Sequence, residues 1–365
     1  MYILLKAIFR VIYFFDRNRF SRSEITHEEL KRFLLISTTA IGDTLMSTPA
    51  IRAVRQKFPQ SYIAVLTDRR RIDILKGNPY IDRLITYHGK FKKAFSLIRE
   101  LRKEKFDIVI ILHANDPDIV PIAYLSQALY RIGWDESRFS FLLTHRHKRF
   151  GESTHAIDDR LDMLKILGID SRDRHMDVFL SDEDRNFRQK LFSDNTILKD
   201  DLVIGLHPFG SRRSKWWGIE KSAELSDRLH ERYGARVILI SGKDEEAISK
   251  RIATRTKHNL ILVCRATLRE TAAVIESCSM FVTTDSGPMH IAIALGKPTV
   301  SLYGPSDRSE TSACVDLERH IVVQKDVPCP RPCKLKECDS PVCMDSITVD
   351  EVMEAVETLD KGKHA

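Results

Sequence analysis

Two runs of short, unbroken apolar segments, one in each half of the chain, limit what this sequence can fold into more than any other feature. FLLIS (33–37), YIAVLT (62–67), RLITY (83–87) and DIVIIL (107–112) form the first run. LVIGLHP (202–208), ARVILIS (235–241), LILVC (260–264), MFVTTD (280–285) and PTVSLYG (298–304) form the second. Strands that are apolar without alternation have both faces buried, as in parallel sheets covered by helices. The segments 69–76, 91–103, 220–232 and 244–256 between them have helical spacing, and the first two carry basic outer faces. Ser181 with Asp184, Thr267 with Glu270 and Thr348 with Glu351 are capping-box pairs and predict helix starts. The expected fold class is α/β, with two Rossmann-like, doubly wound domains facing across a cleft. Ligands of open α/β sheets bind outside the carboxyl ends of the strands, so the cleft is the expected site.

A chain of 365 residues suits two domains. The reading divides it into an N-terminal extension (1–30), a first domain (31–190), a second domain (191–345) and a C-terminal helix (346–365) packing back on the first domain. A polar, His- and Arg-rich stretch at 135–153 interrupts the first array, and a helix follows through LDMLKILGI. The net charge of +7 fits contact with phosphates, anionic lipid or nucleic acid, and equally a solvated basic surface. The opening MYILLKAIFRVIYFFD is too short and too interrupted to span a bilayer, and it lacks a signal-peptide cleavage site. As a helix it places Lys6 and Arg10 on one face and Ile3, Ala7, Val11 and Phe14 on others. That pattern suits a helix lying on a membrane surface with its cations toward lipid phosphates. The alternative is a helix packed on the protein's own surface.

Three segments carry candidate chemistry. TTDSGPMHIAIALGKPTVSLYGPSD (283–307) ends a strand at Asp285 and opens a helix through Ser286, Gly287 and Pro288. Free N–H groups and the dipole at such a helix start suit a diphosphate, and His290 lies in the same first turn. HPFGSRRSKWW (207–217) leaves a strand through Gly210 and Ser211 and carries Arg212, Arg213 and Lys215, cations that can neutralise a leaving diphosphate. STTAIGDTLMSTPAIRAVRQ (37–56) lacks the glycine spacing of a dinucleotide-binding turn and instead puts Asp43 beside Gly42 at a strand exit. A carboxylate there can take a proton from a hydroxyl, or it can cap a helix.

Together these segments resemble glycosyltransferase family 9, the ADP-heptose:lipopolysaccharide heptosyltransferases, over about Phe33 to Val356. The likeness rests on Gly42-Asp43 with Thr48-Pro49, on His155 before LDMLKILGI, on HPFGSRRSKWW, on Asp285 to His290, and on the Gly-Pro-Ser-Asp turn at 304–307. It implies a GT-B fold and an inverting single displacement that needs no cofactor. It also implies Asp43 as general base and Lys215 on the leaving diphosphate. Gly210, Ser211, Asp285, Ser286, Gly287, Pro288, Met289 and His290 would hold the donor, with Glu245 or Glu246 on the nucleotide ribose. Thr39, Gly42, Thr44 and His155 would serve the acceptor. The implied donor is ADP-heptose and the acceptor a lipid-A-linked inner core, at the cytoplasmic face of the inner membrane of a Gram-negative bacterium. Two positions depart from the family pattern: Thr284 stands where Asn is expected, and Phe209 where Gly is expected. The N-terminal extension is also longer than expected.

Other readings are a family member using a different nucleotide-sugar and a non-catalytic glycolipid-binding protein. No aromatic RNA-reading motif or helix-turn-helix supports a nucleic-acid partner. Cys264, Cys278 and Cys314 sit in apolar or helical surroundings, as inert thiols do. Cys329, Cys333, Cys338 and Cys343 cluster in a Pro- and Lys-rich loop and could hold a structural zinc, though at spacings looser than paired zinc knuckles.

Overall fold

The computed structural model describes residues 2–20, 24–148, 154–335 and 338–361, with the backbone alone for 2–5 and 16–20. Ile3, assigned above to a helix face, and residues 149–153 of the polar stretch therefore lie outside the described side chains. The chain divides into two compact units, Met1–Met176 and Asp177–Ala365.

The first unit begins with α1 (Tyr2–Phe20). Its sheet contains β1 (Arg32–Ser37), β2 (Tyr62–Asp68), β3 (Arg83–Tyr87), β4 (Ile108–His113), β5 (Tyr130–Trp134) and β6 (His145–His147). These pair in parallel in the order β3-β2-β1-β4-β5-β6. The connecting helices are α2 (Ile41–Leu45), α3 (Thr48–Lys57), α4 (Ala94–Glu104), α5 (Ile119–Leu125) and α6 (Ala156–Met163). Phe33, Leu34, Leu35, Ile36 and Ile63 to Leu66 are fully buried, as strands covered on both faces require.

The second unit repeats this topology. It opens with α7 (Asp182–Asp194). Its strands are β7 (Val203–His207), β8 (Arg236–Ile240), β9 (Ile261–Val263), β10 (Met280–Thr284), β11 (Thr299–Tyr303) and β12 (His320–Gln324), in the order β12-β11-β10-β7-β8-β9. Its remaining helices are α8 (Ile219–Tyr233), α9 (Glu246–Ala253), α10 (Leu268–Ser277), α11 (Gly287–Ala294), α12 (Arg308–Thr311), α13 (Val342–Asp345) and α14 (Val349–Lys361). In each sheet the order reverses between the first and fourth strands, the switch point where doubly wound sheets open a crevice.

The division falls after Met176, earlier than the boundary at 190 expected from sequence. α7 belongs to the second unit because it packs on α10, where Arg269 of α10 donates to Asp184 at 2.8 Å and Arg185 to Glu276 at 2.8 Å. All three capping boxes form, at Ser181, Thr267 and Thr348. α14 packs on α8, β11 and β12 of its own unit, with Val349, Val352, Met353, Val356 and Leu359 buried.

Three strands have no counterpart in the sequence reading: β5, β6 and β12. β5 is interrupted by Arg131, which is buried because its guanidinium donates to the carbonyls of Ala128 and Leu142. β6 reads His-Arg-His, and β12 has mostly half-exposed residues. The segment 69–76, expected as a helix, forms a 3₁₀ turn over Ile72–Leu75.

Candidate active site

At the first switch point, Asp43 is the third residue of α2. Ala40 takes the N-cap position, and its N–H donates back to Asp43 Oδ2 at 3.2 Å. A five-residue helix gains from satisfying an orphan donor in this way. The Thr39 hydroxyl donates to the same oxygen at 2.8 Å, and Arg160 of α6 donates to Oδ1 at 3.1 Å. His113, the last residue of β4, places Nε2 3.7 Å from Oδ1 and Nδ1 2.5 Å from the Thr39 hydroxyl. Burial pushes the Asp43 carboxyl up, but the charges of His113 and Arg160 and the two hydrogen bonds outweigh it and bring it down to about 2. Asp43 is thus ionised across the physiological range and keeps 22% of its side chain exposed, while Arg160 keeps 2%. Beside it opens a cavity of about 410 Å³, lined among others by His113, Asn115, Asp116, Lys90, Arg138 and Trp134.

Thr39 and Asp43 therefore meet at this strand exit. Gly42 is buried in α2, and Thr44 is buried with its hydroxyl turned back to the Ala40 carbonyl at 3.0 Å. His155 caps α6, its Nδ1 accepting from Ile157 N–H at 3.2 Å. The residue of that segment that reaches Asp43 is Arg160, one and a half turns on. Sequence reasoning missed both Arg160 and His113. Their signals were present: a basic residue on the buried face of a helix, and a lone polar residue closing an apolar strand.

In the second unit, Lys215 lies at the end of a 3₁₀ turn (Arg213–Lys215) after β7. Its Nζ donates to Asp285 Oδ2 at 2.5 Å, with 17% and 10% of the two side chains exposed. Burial raises the Asp285 carboxyl, but the Lys215 charge outweighs it and holds the group below its ordinary value. Gly210 makes the inward turn of Lys215 possible, since a Cβ there would lie 2.7 Å from Lys215 Cβ. Ser211 is exposed on the same loop. Ser286 caps α11 by backbone position only, so its side chain does not cover the first-turn N–H groups, and Gly287 and Pro288 are half-buried there. Such a helix start, beside a lysine, can bind a phosphate group. His290 is buried in the same turn, whereas Met289 turns into the core beneath Tyr303.

The two departures from the family pattern meet each other: the Thr284 hydroxyl donates to the Phe209 carbonyl, and Phe209 packs edge-on to Trp216 at 5.1 Å. His207 is buried, with Nδ1 bonded to the Ile240 carbonyl at 2.8 Å, and burial lowers it to about 4, so it is neutral at neutral pH. At the exit of β8, Glu245 folds back over Gly242, where a Cβ would lie 2.6 Å from its Oε2. Glu246 instead pairs with Lys250 at 2.9 Å and Arg265 at 2.7 Å. Of the two, Glu245 is the one turned toward the strand exit.

The cysteine-rich loop is tied to this half of the site. Cys333 N–H donates to the Pro305 carbonyl at 2.7 Å, and Arg212 donates to the carbonyls of Cys333 and Leu335. Gly304 lets α13 approach, because a Cβ there would lie 3.3 Å from Cys343 Sγ. Cys329, Cys333, Cys338 and Cys343 are free thiols, and Cys343 is buried. Among the described residues, no three His, Cys, Asp or Glu side chains are grouped to hold a metal ion.

α1 divides its residues between two environments. Phe9 is buried against Tyr124 and Phe139, and Tyr13 packs on Tyr124 and Phe141. Arg10 lies over the Phe141 ring at 5.8 Å, so this cation leans on the protein itself. Ile8, Val11, Ile12, Phe14 and Phe15 are exposed. No helix among the described residues is long and apolar enough to cross a membrane.

The family model described as glycosyltransferase family 9 (heptosyltransferase) matches residues 94–340. Lipopolysaccharide heptosyltransferase 3 of Escherichia coli is 30% identical over 289 residues, covering 73% of this chain and 81% of that protein. A family 9 glycosyltransferase structure from Veillonella parvula superposes with a TM-score of 0.79 at 24% identity, over 90% of this chain and 97% of that one. The E. coli ADP-heptose lipopolysaccharide heptosyltransferase II gives 0.75 at 20% identity, over 92% of this chain and 100% of that one.

Proposed function

This chain belongs to glycosyltransferase family 9, the heptosyltransferases, with their GT-B fold, and from that premise we propose that it moves a heptose from ADP-heptose to the inner core of a lipid-A-linked acceptor with inversion. The observation that carries the donor side is the Lys215–Asp285 pair beside the uncapped start of α11. In the proposed reaction the diphosphate lies on the first-turn N–H groups, and Lys215 swings from Asp285 to neutralise the charge that develops on the leaving ADP. Gly210, Ser211, Ser286, Gly287 and Pro288 let the phosphates approach the backbone, and Asp285 and His290 face the sugar. Asp43 draws the proton from the attacking hydroxyl, with Thr39 and Arg160 fixing the carboxylate.

Calorimetric titration with ADP, UDP and GDP tests the donor. Selective ADP binding followed by turnover of ADP-heptose is expected. Preference for UDP or GDP would keep the transferase and discard the heptose, and binding of none would discard the donor site. Glu245 supplies the ribose contact in this reading. Glu245→Gln should weaken ADP by about 10-fold, the worth of one hydrogen bond to a charged group. Glu246→Gln should leave the dissociation constant unchanged. The reverse order of the two would reassign the ribose contact.

The acceptor is a lipid, and α1 suits the surface that presents it. Its exposed Val11, Phe14 and Phe15 enter the interface while Phe9 and Tyr13 fasten the helix to the first unit. Phe95 on α4, 92% exposed beside Lys92 and Lys93, adds a second apolar contact with flanking cations. Co-sedimentation with vesicles containing phosphatidylglycerol should fall at least 10-fold in Phe14→Glu/Phe15→Glu, since burying one aromatic side chain is worth about 1.5–3 kcal/mol. Unchanged sedimentation would remove α1 from the membrane. Both substituted positions point to solvent, so the fold is retained.

A further inference from the structure

Lys215 and Asp285 are joined twice, once by their ion pair and once by a longer route through the cysteine-rich loop. The direct link is the 2.5 Å contact of Nζ with Oδ2. The longer route starts in the turn that carries Lys215, whose N–H donates to the Arg212 carbonyl at 3.0 Å. The Arg212 guanidinium then bridges two carbonyls of the loop, Nη2 donating to Cys333 at 3.1 Å and Nη1 to Leu335 at 2.5 Å. Cys333 N–H donates in turn to the Pro305 carbonyl at 2.7 Å. Pro305 follows β11, and the Leu302 carbonyl of that strand accepts from Asp285 N–H at 3.1 Å, which closes the ring. The turn after β11 is engaged on both sides of Pro305: the Gly304 carbonyl accepts from Arg331 Nε at 3.1 Å, and the Ser306 carbonyl from Gln324 Nε2 at 3.2 Å. By sequence Arg212 is a candidate cation for a leaving diphosphate, but both of its terminal nitrogens bond loop carbonyls.

An ion pair that opens during the reaction cannot keep its own partners in register while it is open. The segment 210–215 has little regular structure besides the 3₁₀ turn Arg213–Lys215, and it begins with Gly210 and Ser211. Without a tether such backbone samples many positions, and ordering it again costs conformational entropy at each turnover. The ring supplies the tether and uses neither reacting charge. We propose that Arg212 is a positioning residue, which ties the Lys215 turn to the cysteine-rich loop and so keeps Lys215 and Asp285 in register while their ion pair opens. This rests on the reading of that pair as the donor-side centre. The cysteine-rich loop acts here through its main chain, as a strut between the exits of β7 and β11.

Kinetics and hydrogen exchange of the full chain test this. With ADP-heptose and the lipid acceptor, Arg212→Ala should lower kcat by about 10- to 10²-fold, the effect of roughly 1 Å of misplacement, and leave the KM for ADP-heptose within about twofold of wild type. Arg212→Lys keeps the charge but offers one nitrogen where the bridge uses two, so it should not restore kcat. Cys333→Pro removes the N–H on the far side of the loop and should lower kcat alike. The double variant should fall no further than either single one, because both changes open the same ring. A raised KM with kcat intact in Arg212→Ala, restored by Arg212→Lys, would make Arg212 a phosphate contact and overturn the proposal. Additive losses in the double variant would overturn it too. Without substrate, Arg212→Ala should speed amide exchange in 210–217 and 329–335 together and leave β7 and β10 as protected as in wild type, which separates an opened ring from a failed fold. Exchange in 329–335 at the wild-type rate overturns the proposal. Absence of any transfer from ADP-heptose by the wild type would count against the donor assignment instead, and the exchange rates would still decide whether Arg212 ties the two loops.

Discussion

Asp43→Asn should reduce kcat by about 10²–10⁴-fold, the range for losing a positioned acid–base group, while leaving ADP binding intact. Asn is the informative replacement because it keeps the shape of the side chain and can still accept from Thr39 and Ala40 N–H. Asn turns its amide N–H₂ toward Arg160 and so removes the Oδ1 acceptor of that guanidinium, whereas alanine would remove both carboxylate oxygens and leave Thr39 and Ala40 N–H without theirs as well. A variant with wild-type turnover would remove Asp43 from the reaction. The same substitution carries a stability signature. The folded carboxyl is depressed to about 2 from an ordinary 3.8, so its contribution is fully present above about 3.8 and is lost as pH falls through about 2. At neutral pH that contribution is roughly 2 kcal/mol. Asp43→Asn should therefore lower the midpoint of denaturant unfolding of the first unit at pH 7, and the gap from wild type should narrow toward pH 2. An unchanged gap would show that the pairing with Arg160 and His113 does not stabilise the unit.

Lys215→Ala should lower kcat by about 10²–10³-fold and weaken ADP binding by about 10- to 100-fold. The effect has two parts that can be separated. Removing the ammonium deprives the leaving diphosphate of its counter-charge. It also strands Asp285, which keeps only 10% of its side chain exposed, next to an incoming anion. An uncompensated buried charge costs about 3–5 kcal/mol, so the single variant should unfold more easily as well. The double variant Lys215→Ala/Asp285→Asn relieves that cost. It should recover most of the unfolding midpoint and part of the ADP affinity, but not kcat, because no cation remains for the leaving group. Recovery of kcat in the double variant would show that the lysine acts only by neutralising Asp285.

Local patterns determined much of this protein. The uninterrupted apolar segments specify buried parallel strands, because a strand covered on both faces has no use for alternation. The pairs Ser181/Asp184, Thr267/Glu270 and Thr348/Glu351 specify helix starts, because each satisfies orphan N–H groups within four residues. The Gly-Asp and Ser-Gly-Pro turns mark strand exits for the same local reason and made Asp43 and Asp285 candidates, while the resemblance to family 9 gave them and Lys215 their expected roles. Tertiary structure alone decided what these residues touch. Thr39 meets His113 across 74 positions, Asp43 meets Arg160 across 117, and Lys215 meets Asp285 across 70. Those meetings follow from β1 lying beside β4 and β7 beside β10, and strand order is a property of the whole sheet. The strands missed from sequence have the same explanation. YRIGW, HRH and HIVVQ become strands because a neighbouring edge satisfies their backbone and, for Arg131, because distant carbonyls satisfy a buried guanidinium. No periodicity within five residues can encode a partner supplied from elsewhere in the chain.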